Sequence, residues 1–415
     1  MTAWGALIGL LLSIFLIIKK IPPVYSLILG AVVGGLAGGL PLPQTVVIML
    51  DGVKDITPAV LRILAAGVLS GMLVKTGAAA SISNTIVHTL NERHAFLALA
   101  FATMLLTAIG VFIDVAVITV APVALSLGQR LSIPKDTLLI AMIGGGKCGN
   151  IISPNPNTIV AAENFGADLS SVMYVNIVPA FIGLSLVAYV VTSLMPKRGV
   201  LVTDDDISSQ QGNLPSFAAS MVAPVVTILL LSLRPVCNVV IDPLIALPAG
   251  GIAGILATRK WPMLKECVGY GLEKMSFVAI LLIGTGAIAG IIKASTIKDV
   301  LLDVLAQTNM GEVLIAPVSG ILMSAATAST TAGATVASSS FAQAIIAAGI
   351  SGIWGAAMIN AGATVLDHLP HGSFYHATGG SVNLSFSDRL KLVPYETAIG
   401  LILTACSVAA CLFAR

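Results

Sequence analysis

Two polar clusters interrupt apolar segments of this chain, and the side chains in each could bind a small polar ligand. The first runs from Ile143 to Thr158 and contains three consecutive glycines, Lys147 and two prolines. Because proline removes a backbone donor and glycine weakens a helix, a broken helix is expected here. The amide and hydroxyl groups at this break are candidate substrate contacts: Asn150, Ser153, Asn155, Asn157 and Thr158.

The second cluster lies in the second half of the chain and adds ionisable groups. Asp367, His368 and His371 could carry a proton, because a histidine beside an aspartate titrates near physiological pH. Gly362 and Ser373 flank them and are further candidate substrate contacts. In an alternative interpretation, Asp367 caps the next half-helix and the histidines bond to local backbone groups.

Two more polar sites lie between apolar runs, at the expected tips of helical hairpins. One contains Asp114, which could be a proton site, a sodium ligand or a helix cap. The other contains Ser329, Thr330 and Thr331, whose hydroxyls and half-helix N-terminus suit a carboxylate ligand. Lys147 could pair with a substrate carboxylate or with either aspartate. The candidate ion-coupling residues are Asp114, Lys147, Asp367 and His368.

The composition indicates a membrane protein. The 415 residues are 57% hydrophobic and 10% charged, with a mean hydropathy of +1.00, whereas soluble chains carry about 25% charge. The net charge of +2 gives no support for nucleic-acid binding. The five cysteines lack metal-binding spacing, so neither a metal nor a cofactor is predicted. The fold class is an all-α polytopic membrane protein.

Hydropathy divides the chain into two similar halves, residues 1–196 and 216–415, joined by a polar linker at 197–215 that we place in the cytoplasm. In each half we predict three spans, a re-entrant hairpin, a broken span and a final span. The first half reads 3–19, 23–40, a mixed interfacial stretch at 45–55, 57–76, an amphipathic segment at 81–93, and then 95–128, 137–165 and 172–194. The second half reads 216–234, 241–258, 275–293, an amphipathic segment at 296–306, and then 312–348, 352–375 and 393–413.

The two halves also agree residue by residue at their breaks. Ala141, Met142 and Ile143 recur 216 residues later as the run that starts at Ala357, and Pro154 then matches Pro370. Five crossings per half invert the second half relative to the first. Inverted repeats with paired broken helices are typical of secondary transporters, whose site lies where the breaks meet.

The positive-inside rule sets the orientation. On this topology, fourteen of the 21 Lys and Arg residues, including Lys274, fall on one face and six on the other, with Lys147 inside the membrane. The more basic face is assigned to the cytoplasm, so both termini are predicted outside. Residues 1–20 lack a basic leader region and a cleavage site, so a retained first helix is expected.

Several short motifs resemble the gluconate permease family, within the ion-transporter superfamily. They are the first break with the Phe-Gly-Ala-Asp-Leu run at 165–169, the segment at 290–295, the hairpin tip at 324–333, and the Ala-Gly-Ala run at 361–363 followed by His368 and the Gly-Ser-Phe run at 372–374. One departure stands out. Where gluconate members are expected to carry His-Pro-Gly-Pro, this chain has Ser-Pro-Asn-Pro-Asn-Thr at 153–158.

The resemblance implies proton-coupled uptake of a small hydroxy acid across the bacterial inner membrane. Its superfamily implies a homodimer in which a transport domain moves against a scaffold by an elevator motion. The scaffold would be the first three spans of each half, and the transport domain would be the hairpins, broken spans and final spans. The serine, asparagine and threonine residues of the departing run at 153–158 resemble those of sodium-coupled dicarboxylate carriers in the superfamily, so sodium coupling stays open.

The resulting hypothesis is a secondary transporter that takes up a gluconate-like sugar acid or another hydroxy carboxylate with protons. A sodium-coupled carboxylate symporter is the main alternative. An anion channel would need a continuous polar pore, whereas the polar residues cluster at two breaks. An intramembrane hydrolase could use Asp367 and His368, but it would not explain the duplication, and no GxSxG motif is present.

Overall fold

The computed structural model describes residues 1–19, 21–89, 94–196, 199–206, 214–237, 239, 241–296, 312–370 and 372–414. The described part of the chain is helical and contains no strand, which confirms the predicted all-α class. Five of its helical segments are long and apolar enough to cross a membrane, and six shorter apolar helices accompany them. These features fit a multi-pass membrane protein.

The first half contains eleven helices in the described residues. They are α1 (Ala3–Ile18), α2 (Pro23–Ala37), α3 (Leu42–Lys75), α4 (Ala78–Thr89), α5 (Ala95–Ala108), α6 (Ile113–Leu131), α7 (Lys135–Asn150), α8 (Pro156–Asn164), α9 (Leu169–Val175), α10 (Ile177–Leu186) and α11 (Thr192–Leu194). A π-helical turn, Val187–Val191, joins α10 to α11.

The second half contains nine helices in the described residues. They are α12 (Phe217–Cys237), α13 (Pro243–Ala257), α14 (Leu264–Lys293), α15 (Ile315–Thr327), α16 (Thr330–Ala347), α17 (Gly352–Ala363), α18 (Ser373–Ser381), α19 (Phe386–Leu390) and α20 (Val393–Ala414). Of the amphipathic segment predicted at 296–306, residues 297–306 lie outside the described residues. The sequence did not predict α19.

The prediction for the third helix of each half was wrong in length. The expected interfacial stretch at 45–55 is instead the first part of α3, which continues through Pro58. Its buried residues recur at helical spacing from Met49 through Gly52 and Ile56, so one apolar face runs on while the charged residues stay exposed. Similarly, α14 begins at Leu264 rather than at residue 275.

Both predicted hairpins are present. In the first, α5 ends at Ala108 and α6 begins at Ile113; in the second, α15 ends at Thr327 and α16 begins at Thr330. With 14 and 13 residues, α5 and α15 rise only about 20 Å, too short to cross a bilayer of about 30 Å. The first helix of each hairpin is therefore too short to cross by itself.

Both helix breaks are present, but they are narrower than the sequence predicted. Asn150 and Lys147 stay in α7, and the first break covers only 151–155. The glycines before it serve packing instead of unwinding: a Cβ on Gly145 would lie 1.9 Å from the Ala100 carbonyl oxygen of α5. In the second break, α17 continues to Ala363 and α18 starts at Ser373.

The long helices α3 and α14 cross antiparallel at the centre of the molecule, joined by small residues. A Cβ on Gly52 would lie 2.2 Å from the Gly286 carbonyl oxygen, and one on Gly71 would lie 2.1 Å from the Cys267 carbonyl oxygen. Such close approach of two backbones is possible only without side chains. The pair therefore has little freedom to change its spacing.

The described part of the linker is attached to the first half at α7. The backbone N–H of Lys135 donates to the Val200 carbonyl oxygen at 2.8 Å, and its ammonium pairs with Asp206 at 2.7 Å. Burial opposes ionisation of Asp206, but hydrogen bonds from Lys135 and Thr203 outweigh it and lower the pKa of this carboxyl. Asn383, after α18, donates to the same carboxylate at 3.1 Å.

Substituting Gly52 tests the packing of α3 on α14. We expect Gly52→Val to cost about 3 kcal/mol or more of stability, because the new side chain meets backbone that cannot move aside. The measurement is the melting temperature of the purified protein in detergent. Gly269→Val is the matched control, since a Cβ at this α14 position meets nothing within 4 Å. Equal melting temperatures for the two variants would contradict the packing.

Candidate functional site

The two hairpin tips, both helix breaks and one face of α14 surround a cavity of about 210 Å³. Eight of the sequence-predicted site residues line it: Asp114, Asn150, Asn157, Ser329, Thr330, Thr331, Asp367 and Ser373. The α14 wall adds Lys274, Phe277, Val278 and Leu281. Residues more than 200 positions apart in sequence therefore meet at one cavity.

Four helices begin at this cavity. They are α6, α8, α16 and α18, with 19, 9, 18 and 9 residues. Ser329 caps α16 by accepting from the Ala332 N–H, and Asn155 caps α8 by accepting from the Thr158 N–H, whereas no side chain caps α6 or α18. Helix N-termini concentrate N–H donors and partial positive charge, so their convergence favours an anionic ligand.

A fully buried ion pair lies behind the cavity. The Lys147 ammonium contacts the Asp367 carboxylate at 2.7 Å, the Thr364 carbonyl oxygen at 2.5 Å and His368 Nδ1 at 3.1 Å. These three acceptors satisfy its three N–H donors. The sequence left a substrate carboxylate, Asp114 or Asp367 as possible partners of Lys147, and the structure pairs it with Asp367. The ammonium therefore has no N–H group left to donate to a substrate.

His368 connects this ion pair to α20. Its Nε2 lies 3.1 Å from the Val393 carbonyl oxygen and 3.1 Å from the Thr397 hydroxyl. Because a carbonyl only accepts, we assign the proton to Nε2, which makes Nδ1 the acceptor that faces Lys147 and Asp367. Nδ1 lies 3.1 Å from the Lys147 ammonium and 3.2 Å from the Asp367 carboxylate, so His368 links both charged groups to α20.

Two further contacts hold the second break in place. Thr330, at the second hairpin tip, donates to the Asp367 carboxylate at 2.5 Å. A buried Arg389–Glu396 ion pair joins the short helix α19 to α20, and the Arg389 guanidinium lies 4.8 Å from the centre of the Tyr375 ring on α18. Both half-helices of the second break are thus tied to neighbouring elements.

An amide network joins the two breaks. Asn157 donates to the Asn360 side-chain oxygen at 2.6 Å, and the Asn360 amide donates to the Thr158 hydroxyl at 2.9 Å. Asn155 accepts from this hydroxyl at 3.0 Å and donates to Asn150. Asn155 and Thr158 therefore act on the cavity through Asn150 and Asn157.

Two buried polar atoms at the first break have no hydrogen-bond partner among the described residues. They are the Asn150 Nδ2 donor, in the cavity wall, and the Ser153 hydroxyl, which does not line the cavity. An unsatisfied buried donor costs about 1–3 kcal/mol, which a bound ligand would recover. The Asn150 amide can thus donate a hydrogen bond to an acceptor atom of a ligand in the cavity.

Asp114 and Lys274 face the cavity from opposite elements. Asp114 accepts from its neighbour Val115 N–H at 2.9 Å and makes no ion pair within the described part of the chain. The sequence analysis missed Lys274 as a site residue. It began this helix at residue 275 and therefore placed the lysine beyond the end of the span, on the cytoplasmic face. The signal was the polar run at 264–274, which the structure shows to be helical.

Two predicted site residues do not line the cavity, and a third is not among the described residues. Gly362 lies in α17, where a Cβ would be 2.3 Å from the Pro317 carbonyl oxygen, so it serves helix packing. Ser153 is fully buried within the first break. His371 lies outside the described residues. Among the described residues, no group of three His, Cys, Asp or Glu side chains could hold a metal.

A larger cavity of about 480 Å³ lies at the other end of α14 and α16. Its charged groups are already engaged: Lys293 pairs with Asp55 at 3.0 Å, and Glu163 pairs with Arg62. The larger cavity also has a buried hydroxyl, that of Ser340, without a partner among the described residues, but no helix begins there. The converging helix N-termini therefore make the smaller cavity the better site for an anion.

Comparison with known proteins identifies the class. The crystal structure of the Alcanivorax borkumensis YdaH transporter matches with a TM-score of 0.67 at 13% identity, over 90% of this chain and 88% of that one. At this identity the match shows the fold alone. The shared fold and the long apolar helices are those of a multi-pass membrane protein.

The family follows from sequence. Residues 1–249 match the GntP family permease family, and residues 218–309 match the Na+-H+ antiporter family. An uncharacterized transporter of Haemophilus influenzae is 54% identical over 406 residues, 98% of this chain and 97% of that protein. The chain belongs to the GntP permease family.

More distant relatives have names that state a substrate. A high-affinity gluconate transporter of Escherichia coli is 20% identical over 430 residues, 98% of this chain and 97% of that protein. A gluconate permease of Pseudomonas aeruginosa is 24% identical over 243 residues, 56% of this chain and 54% of that protein. The family relatives are transporters and permeases, not enzymes.

Removing one partner of the buried ion pair tests its role. Lys147→Met leaves the Asp367 carboxylate buried without its cation, so we expect a loss of about 3–5 kcal/mol of stability. Adding Asp367→Asn should restore at least half of that loss, since no charge is then left unpaired. Thermal unfolding in detergent measures both. A double variant no more stable than Lys147→Met would contradict the pairing.

Proposed function

We propose that this protein is a secondary transporter that takes up a small organic acid, either a gluconate-like sugar acid or another hydroxy carboxylate. One observation carries the proposal: four helix N-termini and the unpaired Asn150 amide meet at a cavity between the two broken helices. The cavity volume of about 210 Å³ suits a small acid. The gluconate transporters among its relatives support the same class.

The charges around the cavity support coupling to a cation. In and directly behind the cavity, the described lysines Lys147 and Lys274 balance the described aspartates Asp114 and Asp367. A bound carboxylate adds one negative charge beside Asp114 and Asp367. Like charges repel there, so the acid favours the entry of a compensating cation. This linkage couples cation and acid.

A proton is the proposed coupling ion. Asp114 borders the bound acid and makes no ion pair among the described residues, so it can take up the proton that balances the new charge. Sodium is the second candidate. The partnerless Ser153 hydroxyl and the match to an Na+-H+ antiporter family favour it. In contrast, the Asn150 and Asn155 side-chain oxygens already accept hydrogen bonds, which favours the proton.

The proposed mechanism is alternating access by an elevator motion. Residues 1–196 and 216–415 would be inverted repeats joined by a cytoplasmic linker at 197–215. Their α1–α3 and α12–α14 would form the scaffold, and the hairpins, broken spans and final spans would form the moving part. Arg62 of α3 lies at the boundary between the proposed scaffold and the moving part. Its guanidinium donates two hydrogen bonds, of 3.1 and 2.8 Å, to the carboxylate of Asp242, the N-cap of α13, and it also pairs with Glu163 of α8. Movement of α8 would break the Glu163 contact only.

We further propose a homodimer in the bacterial inner membrane, with both termini outside. The positive-inside bias supports the orientation, and the family resemblance supports the dimer.

Uptake into proteoliposomes tests the proposed function. The panel is radiolabelled gluconate, D-glycerate, 3-hydroxybutyrate, citrate and D-serine, each under a pH gradient and separately under a sodium gradient. We expect at least one hydroxy acid to accumulate under the pH gradient alone. Accumulation under the sodium gradient alone would show that sodium, and not the proton, is the coupling ion. A panel without any accumulation would contradict the proposal.

Neutralising Asp114 tests the proton coupling. In Asp114→Asn the titrating group is lost while its size is kept, so we expect accumulation driven by a pH gradient to fall at least about tenfold while exchange of labelled for unlabelled acid continues. Asp51→Asn, an exposed carboxylate paired with Lys54 at 2.7 Å, is the control. An unchanged response of Asp114→Asn to the pH gradient would remove Asp114 from this role.

A further inference from the structure

We infer that Lys274 binds the carboxylate of the substrate and makes the site selective for acids with one carboxylate. The inference rests on the proposed function and deepens it. Lys274 of α14 lines the 210 Å³ cavity together with the hairpin tips and the helix breaks, and it is an exposed residue. It is the only lysine or arginine among the described residues that line this cavity.

Its charge is available to a ligand. Lys147 is fully satisfied by three protein acceptors, whereas Lys274 forms no ion pair with any carboxylate in the part of the chain that the structure describes. Its ammonium lies 5.6 Å from the centre of the Tyr270 ring, one turn earlier on α14. A charged amino group beside an aromatic face keeps its affinity for an anion.

The rest of the wall complements a single carboxylate. The apolar side chains of Phe277, Val278 and Leu281 continue from Lys274 along α14 and reduce access of water to a bound acid. The unpaired Asn150 amide lines the same cavity and can donate to the same carboxylate or to a hydroxyl group. An ammonium and a buried amide donor in one cavity form a site for an oxyanion.

The acidic side chains of the cavity set the limit of one carboxylate. Asp114 and Asp367 also line it; Asp367 pairs with Lys147, and Asp114 has Lys274 as its nearby cation. A second carboxylate on the ligand would meet Asp114 with no further lysine or arginine in the described lining. Hydroxyl groups, in contrast, can donate to Asp114. The site therefore favours hydroxy monocarboxylates over dicarboxylates and tricarboxylates.

The test is ligand binding to the full-length protein in detergent, measured as the rise of the melting temperature with the concentration of acid. The probes are gluconate, D-glycerate, 3-hydroxybutyrate and citrate, with gluconamide as an uncharged analogue. We expect a monocarboxylate to stabilise the wild type more than citrate or gluconamide does. Lys274→Gln should weaken its apparent Kd about tenfold, and Lys274→Arg should stay within about threefold of the wild type.

Lys265→Gln is the matched control, since it removes an exposed lysine from the same helix outside the cavity. Equal melting temperatures without ligand show that the variants are folded. Unchanged affinity in Lys274→Gln, or equally tight binding of citrate, would overturn the assignment of Lys274 while leaving the transporter proposal in place. Absence of stabilisation of the wild type by every acid would contradict both.

Discussion

The structure depends on one constraint: every polar group that a broken helix exposes at membrane depth needs a partner. The buried Lys147 ammonium is the partner of two such groups, because it binds the Asp367 carboxylate and the Thr364 carbonyl oxygen at the opposite break. An isolated buried charge would be very costly, whereas this pair with its full set of acceptors is tolerable. The same contacts place the first break against the second, so the need for partners also determines where the cavity forms.

Close packing makes that meeting possible. Glycines let α7 lie directly on α5 and let α3 lie directly on α14, and the short hairpin helices then end inside the molecule. The N-termini of α6, α8, α16 and α18 converge where the ion pair holds the breaks together. The anion-binding character of the cavity is therefore a consequence of how the helices end, and Lys274 on α14 adds one full positive charge to their partial ones.

Much of this could be predicted from the sequence, and the failures have physical reasons. Proline, glycine and amide residues marked both breaks and both hairpins correctly, because these residues act locally. The exact extent of the first break was wrong, since Gly145 is used for contact with α5, and local composition does not distinguish packing from unwinding. Lys274 was missed because a charged residue near the start of a helix resembles an interface anchor. The choice of Asp367 as the partner of Lys147 required the three-dimensional arrangement.

The central claim is that the acid binds where the two breaks and the two hairpin tips meet. The most direct measurement is an experimental structure of the protein in lipid nanodiscs with a saturating concentration of an acid that it transports. The account predicts density for the acid in the 210 Å³ cavity, in contact with Asn150 and Thr330. Density for the acid in the 480 Å³ cavity beside Glu163 and Lys293, with the smaller cavity empty, would contradict it.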